Sequence, residues 1–331
     1  MPKGSVRVLP RQSLGVAAAF LAVYIIWGST YFAIRIAVGT IPPLLMAGVR
    51  FLIAGTLMYG WLRLRGAPRP TPRQWGSAII LGLLLLVMGN GGVTLAEQLG
   101  VPSGVAAVLV AMVPLYMALI AWALPGGKRP TLLMSLGLLG GFAGVALLLW
   151  PSQVGGSPVT PAAGIILVGS FCWALGSLYS RTAPQPKNPL VGTGMEMLAG
   201  GVLLTAMGLA TGEGSRFDPG KFSMSSLLAF GFLIIFGSIV AFSAYIWLLR
   251  VVSPTRVSTY AYVNPVVAVF LGASFGGEAI NARMLIAMAI ILSAVVVITL
   301  GSAAQARIRA NIAARSEVAV PSEEPATTIS R

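Results

Sequence analysis

Histidine is absent from the 331-residue sequence, cysteine occurs once, at Cys172, and aspartate occurs once, at Asp218. The missing histidine excludes histidine-based catalysis and histidine metal ligation, and a lone thiol cannot form an internal disulfide. A single aspartate cannot supply the pair that an aspartyl protease needs. No GxxxxGK[ST] phosphate-binding motif is present. The sequence therefore predicts that the protein is not an enzyme, binds no metal or cofactor and does not hydrolyse ATP.

Charged side chains are also scarce. They make up 9% of the residues, against 56% hydrophobic residues, whereas soluble domains usually carry about 25% charged residues. A membrane-spanning helix needs roughly 20 apolar residues. The sequence predicts an all-α membrane protein with ten transmembrane helices, whose apolar runs cover residues 14–38, 42–62, 75–95, 102–124, 131–150, 161–182, 190–211, 226–249, 255–276 and 284–302.

The first apolar run is longer than the apolar core of a cleaved signal peptide, which is about 7 to 15 residues. We therefore expect this run to stay in the mature protein as the first spanning helix. Residues 303–331 are rich in Ala, Ser, Glu, Pro and Arg and lack apolar periodicity. This composition predicts a disordered cytoplasmic tail.

The net charge of +14 does not indicate nucleic-acid binding, because the basic residues lie in short segments between apolar runs. Alternate segments hold most of them, which by the positive-inside rule predicts a multi-pass protein of a bacterial-type inner membrane with both termini in the cytoplasm. That arrangement requires an even number of spans. The predicted cytoplasmic residues include Lys3, Arg7, Arg11, Arg63, Arg65, Arg69, Arg73, Lys128, Arg129, Arg181, Lys187, Arg250 and Arg256. The opposite side holds Glu97, Glu213, Asp218 and Glu278.

An internal repeat relates the two halves of the chain. One shift along the sequence aligns Trp27 with Trp173, Arg35 with Arg181 and Arg50 with Glu196, and a slightly larger shift aligns Pro114 with Pro265. The predicted repeats are residues 14–150 and 161–302, with five helices each. Because five is odd, the second repeat must cross the membrane in the opposite orientation, as in many secondary transporters.

Two charged residues lie deep inside predicted spans, away from the span ends. Arg50 and Glu196 each lie roughly 10 Å from the surface where their helix starts, at about 1.5 Å per residue. Burying a charge in the membrane costs at least about 2.5 to 3.5 kcal/mol. Arg50 would attract a carboxylate or phosphate, and Glu196 an amine or a proton. A structural alternative stays open, in which Arg50 binds carbonyls and Glu196 pairs with Arg50 or a hydroxyl.

Other polar and aromatic residues within the spans complete the predicted substrate site, which comprises Trp27, Tyr31, Arg50, Asn90, Trp173, Glu196, Tyr262 and Asn264. Two prolines, Pro114 and Pro265, remove the helical hydrogen bonds to the carbonyls of Val110 and Ala261. These prolines are predicted hinges beside the substrate path, with simple packing kinks as the alternative.

The segments WGSTYFAIRIA and RFLIAG resemble the EamA family of the drug/metabolite transporter superfamily, as does GGEAINARMLIAMAIILSAV near the end of the chain. The stretch EQLGVPSGVAAVLVAMVPLYMA is similar to the YedA-like members. The resemblance covers roughly residues 14 to 302. It implies a ten-helix carrier that moves small metabolites, often exporting amino acids, with helices five and ten at the periphery.

The predicted function is a secondary transporter that exports small metabolites such as amino acids by alternating access. One alternative keeps this fold but exports cationic amphiphilic drugs, which would suit Glu196 and not Arg50. Another is a membrane enzyme or scaffold without transport. The expected partners are the lipid bilayer and a small-molecule substrate, with no nucleic acid. No sequence feature indicates the oligomeric state.

Overall fold

The computed structural model describes residues 10–124, 131–150, 160–252, 257 and 259–318, and this part of the chain is helical, with no β-strand. The long helices in chain order are α1 (Leu14–Ala37), α2 (Pro43–Leu64), α3 (Pro72–Gln98), α4 (Ser103–Ala123), α5 (Leu132–Leu149), α6 (Pro161–Tyr179), α7 (Pro189–Ala210), α8 (Met224–Leu248), α9 (Tyr260–Gly276) and α10 (Ala282–Val318).

Length and composition allow α1 to α8 to cross a membrane, while α9 and α10 contain the shorter apolar stretches Val263–Gly276 and Ala282–Ile298. Local signals set the helix boundaries. Thr71 starts α3 with a capping box, in which its hydroxyl accepts from the Gln74 N–H and the Gln74 side chain accepts from the Thr71 N–H. Several helices end at glycines with positive φ, which other residues rarely adopt. These are Gly66, Gly100, Gly212 and Gly277.

Three of the helices described above contain π-helical segments, in which hydrogen bonds join residues five apart instead of four. These segments are Val23–Trp27 in α1, Gly82–Gly91 in α3 and Leu233–Val240 in α8. Such segments are rare and occur frequently at functional sites. All three lie in the interior of their helices.

Helices from the first half of the chain pack against helices from the second half. The most extensive contacts join α2 to α7 and α5 to α10, and α4 packs against α9. In addition, α1 contacts α8 and α9, while α6 contacts α3 and α4. The α5–α10 pair lies beside the bundle, so α1 to α4 and α6 to α9 form its centre.

Glycine permits the close approach of α2 and α7. A Cβ atom added at Gly55 would lie 2.9 Å from the Gly194 carbonyl oxygen and 2.9 Å from the Leu198 nitrogen, whereas one added at Gly60 would meet nothing within 4 Å.

We expect Gly55→Ala to destabilise the protein by about 1–3 kcal/mol through overpacking. Gly60→Ala, in the same helix, should stabilise it by up to about 1 kcal/mol. Thermal unfolding of both variants in detergent checks this. Equal unfolding temperatures would contradict the close contact.

The structure differs from the sequence expectations in two places. Helix α10 continues to Val318 and so covers the first part of the segment predicted to be disordered, because the Ala, Arg and Gln residues there favour a helix and no Gly or Pro interrupts them. Residues 319–331 lie outside the described part. The helix around Pro265 is the second place, and it is unlike the helix around Pro114. Helix α4 is interrupted at Ala111 and Met112, just before Pro114, while α9 runs through Pro265 without a break.

Candidate functional site

A cavity with two connected chambers runs into the centre of the bundle. The inner chamber has a volume of about 100 Å³ and the outer chamber about 720 Å³. The side chains of Trp27, Pro114, Trp173, Phe242 and Tyr260 line both chambers. The walls therefore come from α1, α4, α6, α8 and α9, so the first and second halves of the chain both contribute.

Most of the predicted substrate-site residues lie together on this cavity. The inner chamber is lined by Trp27, Tyr31, Arg50, Asn90, Trp173 and Asn264, as well as by Pro114 and Pro265. Glu196 lines the outer chamber. The side chain of Tyr262 lies outside the described residues. Val110 and Ala261, whose carbonyls the prolines leave without helical partners, also line the inner chamber, where water can satisfy them.

Arg50 is 3% exposed and is held in place by α8. Its Nε donates to the Ser238 hydroxyl at 2.8 Å, and that hydroxyl donates to the Leu233 carbonyl oxygen at 3.0 Å. Among the described residues, no acidic side chain lies within ion-pair distance of Arg50, including Glu196. The alternative in which Arg50 and Glu196 pair is therefore not what the structure shows. A guanidinium that faces a cavity without a protein counter-ion can bind an anionic ligand group.

The two tryptophans occupy related positions. The Trp27 ring nitrogen donates to the Gly237 carbonyl oxygen at 3.2 Å, within the π-helical segment of α8. A Cβ atom on Gly89, in the π-helical segment of α3, would lie 2.6 Å from the Trp173 ring. Each tryptophan thus packs against a glycine in a π-helical segment of the other half of the chain.

Aromatic and amide groups complete the wall around Trp27. Its ring lies 5.1 Å from Phe242, 5.1 Å from Tyr245 and 5.3 Å from Tyr260, measured between ring centroids. Asn264 is buried, and its amide, oriented to satisfy its surroundings, donates to the Tyr24 and Tyr260 carbonyl oxygens at 3.2 and 3.1 Å. This rigid apolar wall would exclude water from one side of a bound ligand.

The outer chamber reaches the end of the bundle at Arg181 and Gln185, which line it; we call this the open end. At the opposite, closed end, Arg35 of α1 forms an ion pair with Glu278, in the connection between α9 and α10. The same carboxylate accepts from the Ser103 N–H at 2.8 Å, the Ser103 hydroxyl at 2.7 Å and the Gly104 N–H at 3.2 Å. Glu278 therefore ties α1 and the loop after α9 to the first turn of α4.

The hydrogen bonds to Glu278 affect its ionisation. Burial of this carboxylate, whose side chain is 6% exposed, favours the neutral form. The hydrogen bonds from Ser103, Gly104 and Arg35 outweigh that effect and hold the pKa of Glu278 below its usual value. Glu278 therefore stays ionised at neutral pH and below.

Sequence reasoning missed this closed end. It placed Glu97 and Glu278 with the loop residues of one membrane face. In the structure, Glu278 forms the ion pair with Arg35. Glu97 is buried in the last turn of α3, 5% exposed, and neither of its carboxylate oxygens has a hydrogen-bond partner among the described residues. The sequence signal that could have found Glu278 is the Gly276-Gly277-Glu278 segment. Gly277 adopts a φ of 63° at the end of α9, which turns the chain back toward α4.

The profile of the EamA-like transporter family matches residues 13–150 and again residues 160–300. The chain belongs to this family. It is 46% identical over 291 residues to the inner membrane transporter YedA of Escherichia coli (strain K12), covering 88% of this chain and 92% of YedA. It is 26% identical over 300 residues to the transporter YvbV of Bacillus subtilis (strain 168), covering 90% of this chain and 95% of YvbV.

A solved crystal structure also resembles this EamA family member. Its chain is 22% identical, the TM-score is 0.58, and the match covers 87% of this chain and 98% of the other. At that identity the likeness concerns the fold alone. The family, the relatives and the apolar helices together indicate a transporter of small molecules that resides in a membrane, as the sequence resemblance predicted.

Proposed function

We propose that this EamA family member is a secondary transporter that exports small zwitterionic metabolites, such as amino acids, across the inner membrane by alternating access. The observation that carries this proposal is the cavity. It leads from the open end to Arg50, which has no acidic partner among the described residues, and stops below the Arg35–Glu278 cluster. A cavity open to one side only is what one state of an alternating-access carrier requires.

The proposed architecture is ten spans in two inverted five-helix repeats. Three features support it: the equivalent contacts of Trp27 with Gly237 and of Trp173 with Gly89, the π-helical segments at matching places in α3 and α8, and the reciprocal packing of α1 on α8 and of α6 on α3. Each follows if two similar halves face each other across a pseudo-two-fold axis. We propose residues 14–150 and 161–302 as the repeats.

The charge distribution supports the proposed orientation. Basic residues flank the open end, where α2 and α6 finish and α3 and α7 begin; they include Arg63, Arg65, Arg73, Arg181 and Lys187. The positive-inside rule therefore supports a cytoplasmic open end. In this proposal both termini are cytoplasmic, the structure is the inward-open state, and the closed end faces outward.

The chemistry of the walls supports the proposed substrate class. Arg50 would bind a carboxylate in the inner chamber, and Glu196 on the outer chamber would attract the ammonium group as the substrate enters. Trp27 and Trp173 would contact its apolar part. Because Arg50 and Glu196 occupy matched positions with opposite charge, a zwitterion satisfies both, and neither a simple anion nor a simple cation does.

A second candidate is the export of cationic amphiphiles. The larger outer chamber favours it, because Glu196 and the ring of Tyr245 both line that chamber, and cations bind to aromatic faces. Arg50 would repel such a substrate from the inner chamber, so we rank this candidate second.

Counterflow in proteoliposomes tests the proposal. Liposomes containing the purified protein are loaded with one unlabelled amino acid and diluted into the same labelled amino acid, across a panel of the common amino acids, with a lipophilic cationic dye as a separate arm. We expect label to accumulate for at least one zwitterion above the level in protein-free liposomes. Accumulation of the dye alone would favour the second candidate, and no accumulation of any compound would overturn the transport proposal.

A further inference from the structure

A buried acid at the closed end has no role in the proposed substrate path. Both carboxylate oxygens of Glu97 are buried, and neither has a hydrogen-bond partner in the part of the chain that the structure describes. The preceding residue, Ala96, is fully buried, and Val93, one turn earlier, lines the inner chamber. Glu97 therefore lies between the end of the cavity and the ion pair that closes the bundle.

An isolated carboxylate in such a place is not tolerated, because moving an unpaired charge out of water costs far more than a hydrogen bond supplies. The basic group that could neutralise it is Arg35, and Glu278 already holds Arg35. Glu278 forms its ion pair and three further hydrogen bonds at once, so it is the stronger partner in this state. Glu97 must then carry a proton while the end is closed.

The ionisable groups close enough to affect the charge of Glu97 come from two parts of the fold. Among the described residues they are Arg35 and Tyr31 of α1 and Glu278 of the connection between α9 and α10. Helices α2, α4 and α6 also pack against this turn of α3, and their described residues present no ionisable group to it. Tyr31 lines the inner chamber and so lies between the chamber water and Glu97.

We propose that Glu97 is a proton-binding site that couples the closed end to the proton gradient. While Glu278 holds Arg35, Glu97 is a neutral acid. When the end opens and Arg35 leaves Glu278, the O–H bond of Glu97 breaks, its proton passes to water, and the carboxylate left behind pairs with Arg35. The charge balances, because Arg35 keeps its positive charge and Glu278, now exposed to water, keeps its negative charge.

This inference rests on the proposed transport function and adds its coupling ion. Closure takes one proton from the outer water. When Arg35 begins to leave Glu278 at the next opening, that proton leaves past Tyr31 into the inner chamber, which still faces the cytoplasm. Since closing binds a proton and opening releases one, an inward proton gradient favours the outward movement of substrate. Glu278 does not supply this pH dependence, because its pKa lies below the ordinary glutamate value of about 4.3.

The first test uses infrared absorption of the purified protein, which resolves protonated from ionised carboxyl groups and needs no substrate. Between about pH 5 and 7, above the ordinary glutamate pKa, the wild type should show a protonated-carboxyl band that Glu97→Gln diminishes. The matched control is Glu213→Gln, since Glu213 is also buried but accepts hydrogen bonds from the Leu44 and Leu45 N–H groups; it should leave the band unchanged. A band unaffected by Glu97→Gln would overturn the proposal.

The second test measures opening of the closed end. In a Cys172→Ser background, Ala107→Cys, on the inner chamber, is labelled with an impermeant thiol reagent from outside the membrane. The labelling rate of Ala107→Cys is divided by the labelling rate of Ser215→Cys, an exposed position in the loop before α8. This division removes the pH dependence of the reagent itself. This ratio should rise with pH, approaching about tenfold per pH unit for one released proton. Glu97→Gln should keep it low and constant.

The proposal would be overturned if the labelling ratio in Glu97→Gln depended on pH as strongly as the ratio in the wild type. Neither test requires transport, so failure of the amino-acid panel would leave the proton site intact. Conversely, amino-acid counterflow with a pH-independent closed end would support the transporter and refute the role of Glu97.

Discussion

Replacing Arg50 with glutamine should reduce counterflow of a carboxylate-bearing substrate by about 10- to 150-fold. A hydrogen bond to a charged group in a buried site contributes about 1.5–3 kcal/mol, and every 1.4 kcal/mol is a factor of ten. Because Arg50 has no acidic partner among the described residues, its replacement leaves none of their buried carboxylates without an ion-pair partner. The protein should therefore stay folded, with a thermal unfolding temperature close to that of the wild type.

Two further variants separate charge from geometry at this site. Arg50→Lys keeps the charge but loses the planar fork and the hydrogen bond from Nε to Ser238, so counterflow should fall to an intermediate level. Ser238→Ala keeps the guanidinium and removes only its support, and a smaller loss is expected. Full counterflow of a zwitterion by Arg50→Gln would show that Arg50 does not bind the substrate.

Replacing Glu278 with glutamine should open the closed end. The variant loses the ion pair with Arg35 and weakens the hydrogen bonds from Ser103 and Gly104. With hydrogen bonds to charged groups worth about 1.5–3 kcal/mol, labelling of Ala107→Cys from outside should rise by at least about tenfold. Because the pKa of Glu278 is lowered on folding, its contribution is complete above about pH 4.3 and is lost as the pH falls through the lowered value. Wild-type labelling should therefore also rise in strong acid.

A charge exchange tests why Glu278 matters. If the ion pair alone closed the bundle, Arg35→Glu combined with Glu278→Arg would restore a low labelling rate. The structure predicts no rescue, because an arginine at position 278 would face the N–H groups of Ser103 and Gly104, which need an acceptor. Recovery of the wild-type rate in the double variant would contradict this account.

Much of the fold follows from hydropathy. The apolar runs predicted both ends of α1 to α9 and the start of α10 to within about five residues, because water exclusion alone selects them. The extent of α10 was not foreseen. A polar, alanine-rich segment can be helical or disordered, and composition does not decide between them. The π-helical segments were not predicted either, and Trp27 and Trp173 pack against two of them.

The candidate site was predictable for residues whose chemistry is unusual inside a span. Arg50, Asn90 and Asn264 are costly in lipid, and all three line the inner chamber. Glu97 and Glu278 lie at the ends of apolar runs, where charged residues are ordinary. Their burial results from how α1, α4 and the connection after α9 meet, which a pattern along one chain does not report.

Sidedness of access to the inner chamber tests the central claim most directly. A single cysteine at Val110, which lines this chamber, is placed in a Cys172→Ser background and labelled with an impermeant reagent in right-side-out and inside-out membrane vesicles. The inward-open arrangement predicts labelling at least about tenfold faster from the cytoplasmic face, which corresponds to a preference of about 1.4 kcal/mol for the closed outer end. Equal rates from both faces, or faster labelling from outside, would contradict the proposed orientation and the role of the Arg35–Glu278 cluster.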